Sequence, residues 1–216
     1  AIAAAGLPCS AVEILDHTTA GRRRGREDGL GDAAAMLLVQ ADSEDADAIL
    51  AKVEALCAAA GAEVGRADDV EESTMLMEAR RLALPALERL GDWLLDDVCV
   101  PRAKVVDLIS TIEGGIAVEV GLTIGVFGHA GDGNLHPTII FDRSDAGSLA
   151  AAHTAFDKIT SAALELGGTI TGEHGVGRLK AGWLARELDP VNADMQRALR
   201  KLFDPQEILN RGGVAL

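Results

Sequence analysis

The chain is predicted to fold as α+β: an antiparallel sheet with helices packed on one face. Three observations predict it. Short apolar runs alternate with stretches of helical periodicity, in the order β-α-β-α-β-α-β-β-α-β. Two of those runs, residues 117–129 and 134–142, are separated only by Ala-Gly-Asp-Gly, which reads as a hairpin rather than a crossover. Of the 216 residues, 48% are hydrophobic but only 3% aromatic, so a core is affordable and must be built from Ala, Leu, Val and Ile.

Residues 1–32 read as an N-terminal segment and mobile loop, and residues 33–216 as the α+β domain. The loop, residues 21–32, holds four Arg and four Gly with Leu30 as its one apolar residue, and acidic residues follow at once. Residues 34–42 are a run of buried-strand length. Ser43 then offers an N-cap, Asp45 and Asp47 suit a first turn, and Ala46, Ile49, Leu50, Val53, Leu56 and Cys57 recur at helical spacing up to Gly61. Residues 62–67 read as a second strand. Residues 70–90 read as a helix broken or kinked at Pro85. Residues 93–100 form a strand that ends at Pro101. The helix over 102–112 carries Val105, Val106, Leu108, Ile109 and Ile112 as its apolar stripe. After the hairpin come a long Ala-rich helix (145–166), a strand (167–172), a Gly-rich loop (173–180) and two helices (180–188 and 191–203), the second stopped by Asp204-Pro205.

The charge balance is 20 basic against 34 acidic residues, giving −14 and a pI near 4.7. That excludes a basic face for nucleic acid or an anionic membrane. No apolar run approaches the ~18 residues of a membrane span, and the start, AIAAAGLPCS, lacks the basic opening of a signal peptide. Cys9, Cys57 and Cys99 are odd in number and widely spaced, which suits a reducing, cytoplasmic setting.

Three of the five His fall in two Gly-rich segments, GHAGDGNLH (128–136) and GEHGVG (172–177). If residues 130–133 form a four-residue turn, His129 pairs opposite Asn134. Thr123, Phe127, His129, Asn134, His136 and Thr138 then share one face, and Leu122, Ile124, Val126, Leu135, Ile139 and Phe141 the other. A three-residue turn would separate the two His. Imidazoles one diagonal step apart, roughly 7–8 Å between backbone positions, can converge on one divalent cation. Glu173 is the obvious third ligand, giving an open N,N,O shell suited to zinc, manganese or iron. The alternative is ordinary polar residues in a Gly-rich turn. In an extended segment His174 points away from Glu173, which leaves it a free imidazole for proton abstraction. Asp132 reads as a turn cap. His17 and His153 stand alone.

GHAGDGNLHPTIIFD, GGTITGEHGVGRLK and LFDPQEILNRGG resemble the C-terminal cap domain of the FAD-linked oxidase family, which includes glycolate oxidase, D-lactate dehydrogenase and D-2-hydroxyglutarate dehydrogenase. AGLPCSAVEILD, LMEARRLALPAL and DDVCVPRAK also fit. The resemblance implies duplicated ferredoxin-like α+β halves and a flavin-dependent 2-hydroxy-acid oxidoreductase. It implies His129, His136 and Glu173 as metal ligands and His174 as the base that accompanies hydride transfer to FAD. It implies Arg80 on the substrate carboxylate, Asn134 and Thr138 facing substrate, and Lys180 and Asn210 near the cofactor. Its implied partners are a small 2-hydroxy acid, an N-terminal FAD-binding domain of the same polypeptide and an electron-acceptor subunit. Nothing here resembles the flavin domain, so the expectation is an excised cap, inactive alone. The tail reads Leu209-Asn210-Arg211-Gly212-Gly213 where the family has L-N-P-G-K. Leu94 and Leu95 stand where 2-hydroxyglutarate enzymes place a Lys, which favours a glycolate or D-lactate type substrate. The rival readings are a stand-alone ligand-binding regulatory module and a metal-dependent hydrolase.

Overall fold

A computed structural model of the chain describes residues 2–22, 33–67 and 69–211. Its elements are β1 (Ala11–Asp16), α1 (His17–Arg22), β2 (Ala35–Gln40), α2 (Ala46–Ala59), α3 (Val70–Arg81), α4 (Ala83–Glu88), β3 (Asp92–Leu95), β4 (Val98–Cys99), α5 (Val105–Thr111), α6 (Ala117–Val120), β5 (Thr123–His129), β6 (Asn134–Phe141), α7 (Ala146–Glu165), α8 (Leu184–Glu187) and α9 (Pro190–Phe203). The sheet runs β2-β1-β5-β6-β3, with β4 also on β6, and every pairing is antiparallel. The predicted α+β class holds, with helices on both faces of the antiparallel sheet.

Strand alternation divides the sheet into two faces. Ile124, Val126, Leu135, Ile139 and Phe141 join Leu108, Ile109 and Ile112 of the α5 region and Ala152, Ala155, Phe156 and Ile159 of α7 in the main core. Helix α7 suits that place because its buried residues recur at three- and four-residue steps, and Asp145 caps it by accepting from the N–H groups of Gly147 and Ser148. On the opposite face a smaller cluster of Leu15, Phe127, Ile140, Ala20, Ala83 and Leu87 is covered by α1 and α4. The remainder of that face carries the imidazoles.

Several elements differ from the sequence reading. Residues 11–16, read as part of an N-terminal segment, form β1, an interior strand paired with both β2 and β5. The loop over 21–32 falls almost wholly outside the described residues. Residues 62–67 form no strand; they are largely exposed and no strand pairs with them. The break between α3 and α4 falls at Leu82 rather than Pro85, because Pro85 sits in the first turn of α4, where its missing N–H costs nothing. Residues 117–120 are helical: the run from Val105 passes through a π-turn (Ile112–Ile116) and stops at Gly121, whose φ of 68° is left-handed. Val106 faces solvent rather than the core. Residues 93–100 are interrupted at Asp96–Asp97 because Pro137, across the ladder, accepts from the Asp96 N–H at 2.8 Å but has no N–H to return. Residues 167–172 contribute only a bridge between Thr169 and Cys99.

Asp16 is fully buried, with one oxygen accepting from the Thr19 N–H at 2.7 Å and the other unpartnered. Burial pushes its pKa up to about 6, opposed by hydrogen bonds from Thr19 and assisted by the Glu113 carboxylate. The folded chain therefore holds this proton up to a higher pH than the unfolded chain, and the associated stability is lost as pH rises from about 4 to 6. Asp16→Asn keeps the acceptor but removes the titration. Urea unfolding across that window should lose a fall of about 3 kcal/mol in the variant.

Candidate functional site

The hairpin has the four-residue turn. His129 pairs with Asn134 and Phe127 with His136, so both imidazoles project from one face. Gly133 makes the turn possible: its φ is 86°, and a Cβ there would lie 2.0 Å from the Val100 carbonyl oxygen. The His129 and His136 rings meet edge to face with centroids 5.5 Å apart.

Each imidazole lies across the sheet from a carboxylate. Glu13 on β1 is in register with His129 and its Oε1 meets His129 Nδ1 at 2.6 Å. Asp97, opposite His136 if the β3–β6 register is continued past Leu95, places Oδ1 3.7 Å from His136 Nδ1. Both of these last two atoms are buried and otherwise unpartnered. A carboxylate only accepts, so the 2.6 Å contact makes His129 Nδ1 the proton-bearing nitrogen and leaves the lone pair on its Nε2, whereas Asp97 faces His136 Nδ1 without a hydrogen bond. Both Nε2 atoms face the same oxygen: Glu173 Oε1 is 3.5 Å from His129 Nε2 and 3.2 Å from His136 Nε2. With both Nε2 atoms unprotonated, three acceptors so close repel one another unless a cation lies between them. The separations suit one, since ligand atoms around a tetrahedral zinc with bonds of about 2.1 Å are roughly 3.4 Å apart. Burial pushes the His136 pKa down to about 4, against Asp97 and Glu173, so near pH 7 it is in the neutral, ligating form. Glu13, Asp97 and Glu173 also outweigh the guanidinium of Arg80, an excess of negative charge that a divalent cation would cancel.

Asp97 also shapes the loop. Its Oδ2 accepts from Thr171 Oγ1 and from the backbone N–H groups of Gly172, Glu173 and His174, all within 3.0 Å. Burial pushes this carboxyl up, but those donors outweigh it and hold it below its ordinary range. The loop therefore curls around one oxygen instead of extending. Glu173 and His174 consequently do not point apart: His174 Nε2 lies 3.7 Å from Glu173 Oε1, and the His174 ring stacks on His136 at 5.0 Å. The expectation from an extended segment fails because the backbone is not extended. Gly172 is required here, since a Cβ would fall 2.2 Å from Asn134 Oδ1.

Residues 1–214 match the family described as FAD linked oxidases, C-terminal domain. The chain belongs to this family. It is 43% identical over 184 residues to the glycolate oxidase subunit GlcD of Bacillus subtilis (strain 168), covering 83% of this chain and 39% of that protein. It is 31% identical over 220 residues to GlcD of Escherichia coli (strain K12), covering 98% and 43%. A probable mitochondrial D-lactate dehydrogenase of Danio rerio is 31% identical over 157 residues, 71% of this chain and 31% of that one. The chain thus spans less than half the length of these relatives. Among solved structures, 4-ethylphenol oxidase from Gulosibacter chungangensis superposes with a TM-score of 0.57 at 12% identity, covering 98% of this chain and 48% of that one, a likeness of fold. No helix among the described residues is long and apolar enough to cross a membrane.

Within this FAD-linked oxidase domain the other expected site residues separate into two groups. Arg80 and Asn134 join the cluster. The Arg80 guanidinium donates from Nε to Glu13 Oε2 at 2.6 Å, lies over the Phe127 ring and brings Nη2 to 3.5 Å from His129 Nε2. Asn134 is buried against Gly172 with its Oδ1 unpartnered. Thr138 is on the same face but fully buried opposite Gly125, where Thr19 and Leu87 crowd over the strand, and its hydroxyl donates to the His136 carbonyl at 3.4 Å. Asn210 is exposed in the turn after α9 with a left-handed φ of 46°.

Lys180 lies beneath the site, on the helix side of the sheet. Its Nζ donates to the carbonyls of Asp97 and Ile170 at 2.5 Å and to Asp96 Oδ1 at 2.6 Å. Three protons thus have three acceptors, and none is left for a cofactor phosphate. Burial pushes the Asp96 carboxyl up while Lys180 pulls it back. Glu13, Asp96 and Asp97 escaped the sequence reading. Their signal was an acidic residue embedded in an apolar strand-like run, AVEILD and WLLDDVCV, where a buried charge requires a partner. Lys180→Met strands the Asp96 charge, and urea unfolding of the flavin-free chain should show a loss of about 3–5 kcal/mol.

Proposed function

We propose that this chain is the substrate- and metal-binding cap of a flavin-dependent 2-hydroxy-acid dehydrogenase or oxidase of the glycolate or D-lactate type. The observation that carries the reading is the convergence of His129 Nε2, His136 Nε2 and Glu173 Oε1, with Arg80 and His174 on the rim of the same cluster. Family membership and the names of the relatives support the substrate class and the flavin.

A divalent ion of the zinc, manganese or iron type, held by these three ligands, supplies Lewis-acid polarisation of the substrate hydroxyl. FAD, held chiefly by a flavin-binding domain of the same polypeptide, supplies the hydride acceptor. This chain's residues do the rest. Arg80 offers its Nη groups to the substrate carboxylate, because Nε is taken by Glu13. His174 Nε2 accepts the hydroxyl proton as the α-carbon becomes a carbonyl carbon. Asn134, on the same face as His136, orients substrate beside it. The stack of His174 on His136 and the bond from its backbone to Asp97 limit where that imidazole can go.

The flavin-binding domain has a natural seat on α9. Val191, Met195, Leu199, Leu202 and Phe203 form an exposed apolar stripe on this helix, none of whose residues is buried. Glu173 and His174 are also about half exposed, so the site lacks a wall over them.

The test uses the flavin-containing polypeptide. His174→Ala should lower kcat on glycolate or D-lactate by about 10²–10⁴-fold, with flavin and metal content retained. His136→Ala should instead lose bound metal, read by elemental analysis after gel filtration. Undiminished turnover in the first variant, or undiminished metal in the second, overturns the assignment.

A further inference from the structure

We propose that Glu13 is a positioning residue that sets the tautomer of His129 and the orientation of Arg80 together, so that the metal ligand and the carboxylate grip are held by one side chain. The proposal rests on the functional reading above. Glu13 is buried on β1, and its two oxygens serve different donors: Oε1 takes His129 Nδ1 and Oε2 takes Arg80 Nε, both at 2.6 Å. A second contact gives the same tautomer independently. Guanidinium groups only donate, and Arg80 Nη2 approaches His129 Nε2 at 3.5 Å, so Nε2 is the acceptor nitrogen. Both neighbours therefore leave the lone pair on Nε2, the nitrogen that lies 3.5 Å from Glu173 Oε1.

The arrangement has a consequence peculiar to a carboxylate. Replacing Glu13 by the isosteric Gln offers one acceptor and one donor end to two donors, so one of the two bonds must break. If the amide oxygen stays with Arg80, His129 faces an N–H and turns to the other tautomer, closing the lone pair needed for metal. If it stays with His129, Arg80 loses its anchor.

The tautomer can be read in the metal-free 216-residue chain from long-range ¹H–¹⁵N correlations of the His129 ring. Wild type should show Nδ1–H and E13Q a shift toward Nε2–H. Zinc titration of the same samples should show affinity lowered about 10–100-fold in E13Q. The double variant E13Q/R80M removes the competing donor, so the amide oxygen is free for His129, and both tautomer and zinc affinity should recover. Wild-type His129 in the Nε2–H form overturns the proposal without any variant, as does E13Q with wild-type zinc affinity. A double variant no better than E13Q also overturns it, since a purely structural loss would not be rescued by a second deletion. Failure of the wild type to bind zinc, with the Nδ1–H tautomer intact, would count against the metal reading and not against the role of Glu13 in setting the tautomer.

Discussion

Two carboxylates facing two imidazoles across the strands are the constraint on which the site depends. Glu13 is bound to β1 and His129 to β5, and the β1–β5 register sets them opposite each other. Asp96 and Asp97 lie between β3 and β4, where the register with β6 continues, and strand alternation sends one of the pair to each face. A one-residue slip in either pairing would send a carboxylate into the apolar layer and leave an imidazole without its Nδ1 partner. The cost of burying these charges is met locally: Asp97 gathers four donors on one oxygen, and Glu13 has a guanidinium and an imidazole.

The same region shows how one pair of adjacent acidic residues supports both layers. Asp97 faces the imidazoles and wraps the loop that carries Glu173 and His174. Asp96 faces α7, where Thr160 and Lys180 donate to it. Lys180 in turn ties the carbonyls of Asp97 and Ile170, so β4, the Gly-rich loop and the segment after it are joined through one ammonium. A residue shared with a family motif can thus act on the cofactor's neighbourhood through the backbone it holds, with its own charge fully consumed.

Much of this was legible in the sequence, and the parts that were not have physical reasons. The hairpin was readable because Ala-Gly-Asp-Gly separates two apolar runs, but the choice between a four- and a three-residue turn, and so which residues share a face, came from the strand register. Helix α7 was readable to within a residue at each end because a long Ala-rich run favours helix. Strand β1 was not, since AVEILD is short and its glutamate breaks the apolar pattern; the reason for that glutamate lies on β5, far along the chain. Residues 62–67 and 117–120 were misread because local alternation mimics a strand when no partner strand exists or when a helix continues through a π-turn. The Glu173–His174 geometry could not be read because it is set by a carboxylate about 75 residues earlier that collects their N–H groups.

The open side of the site follows from these same bonds. Every side chain that builds the cluster is fixed from below or from the flank: Glu13 and Asp97 from neighbouring strands, Arg80 from α3, the loop from Asp97. Nothing among the described residues covers Glu173 and His174 from above, and both remain about half exposed. Such a site can bind a cation and a carboxylate but cannot exclude water from a reacting carbon. On the proposed reading the flavin-binding domain would close this exposed side, where Glu173 and His174 are about half exposed. The division of labour is then set by geometry. On that reading the cap would fix charge and proton positions with groups already locked in the sheet, and a second domain would supply the surface that closes the site.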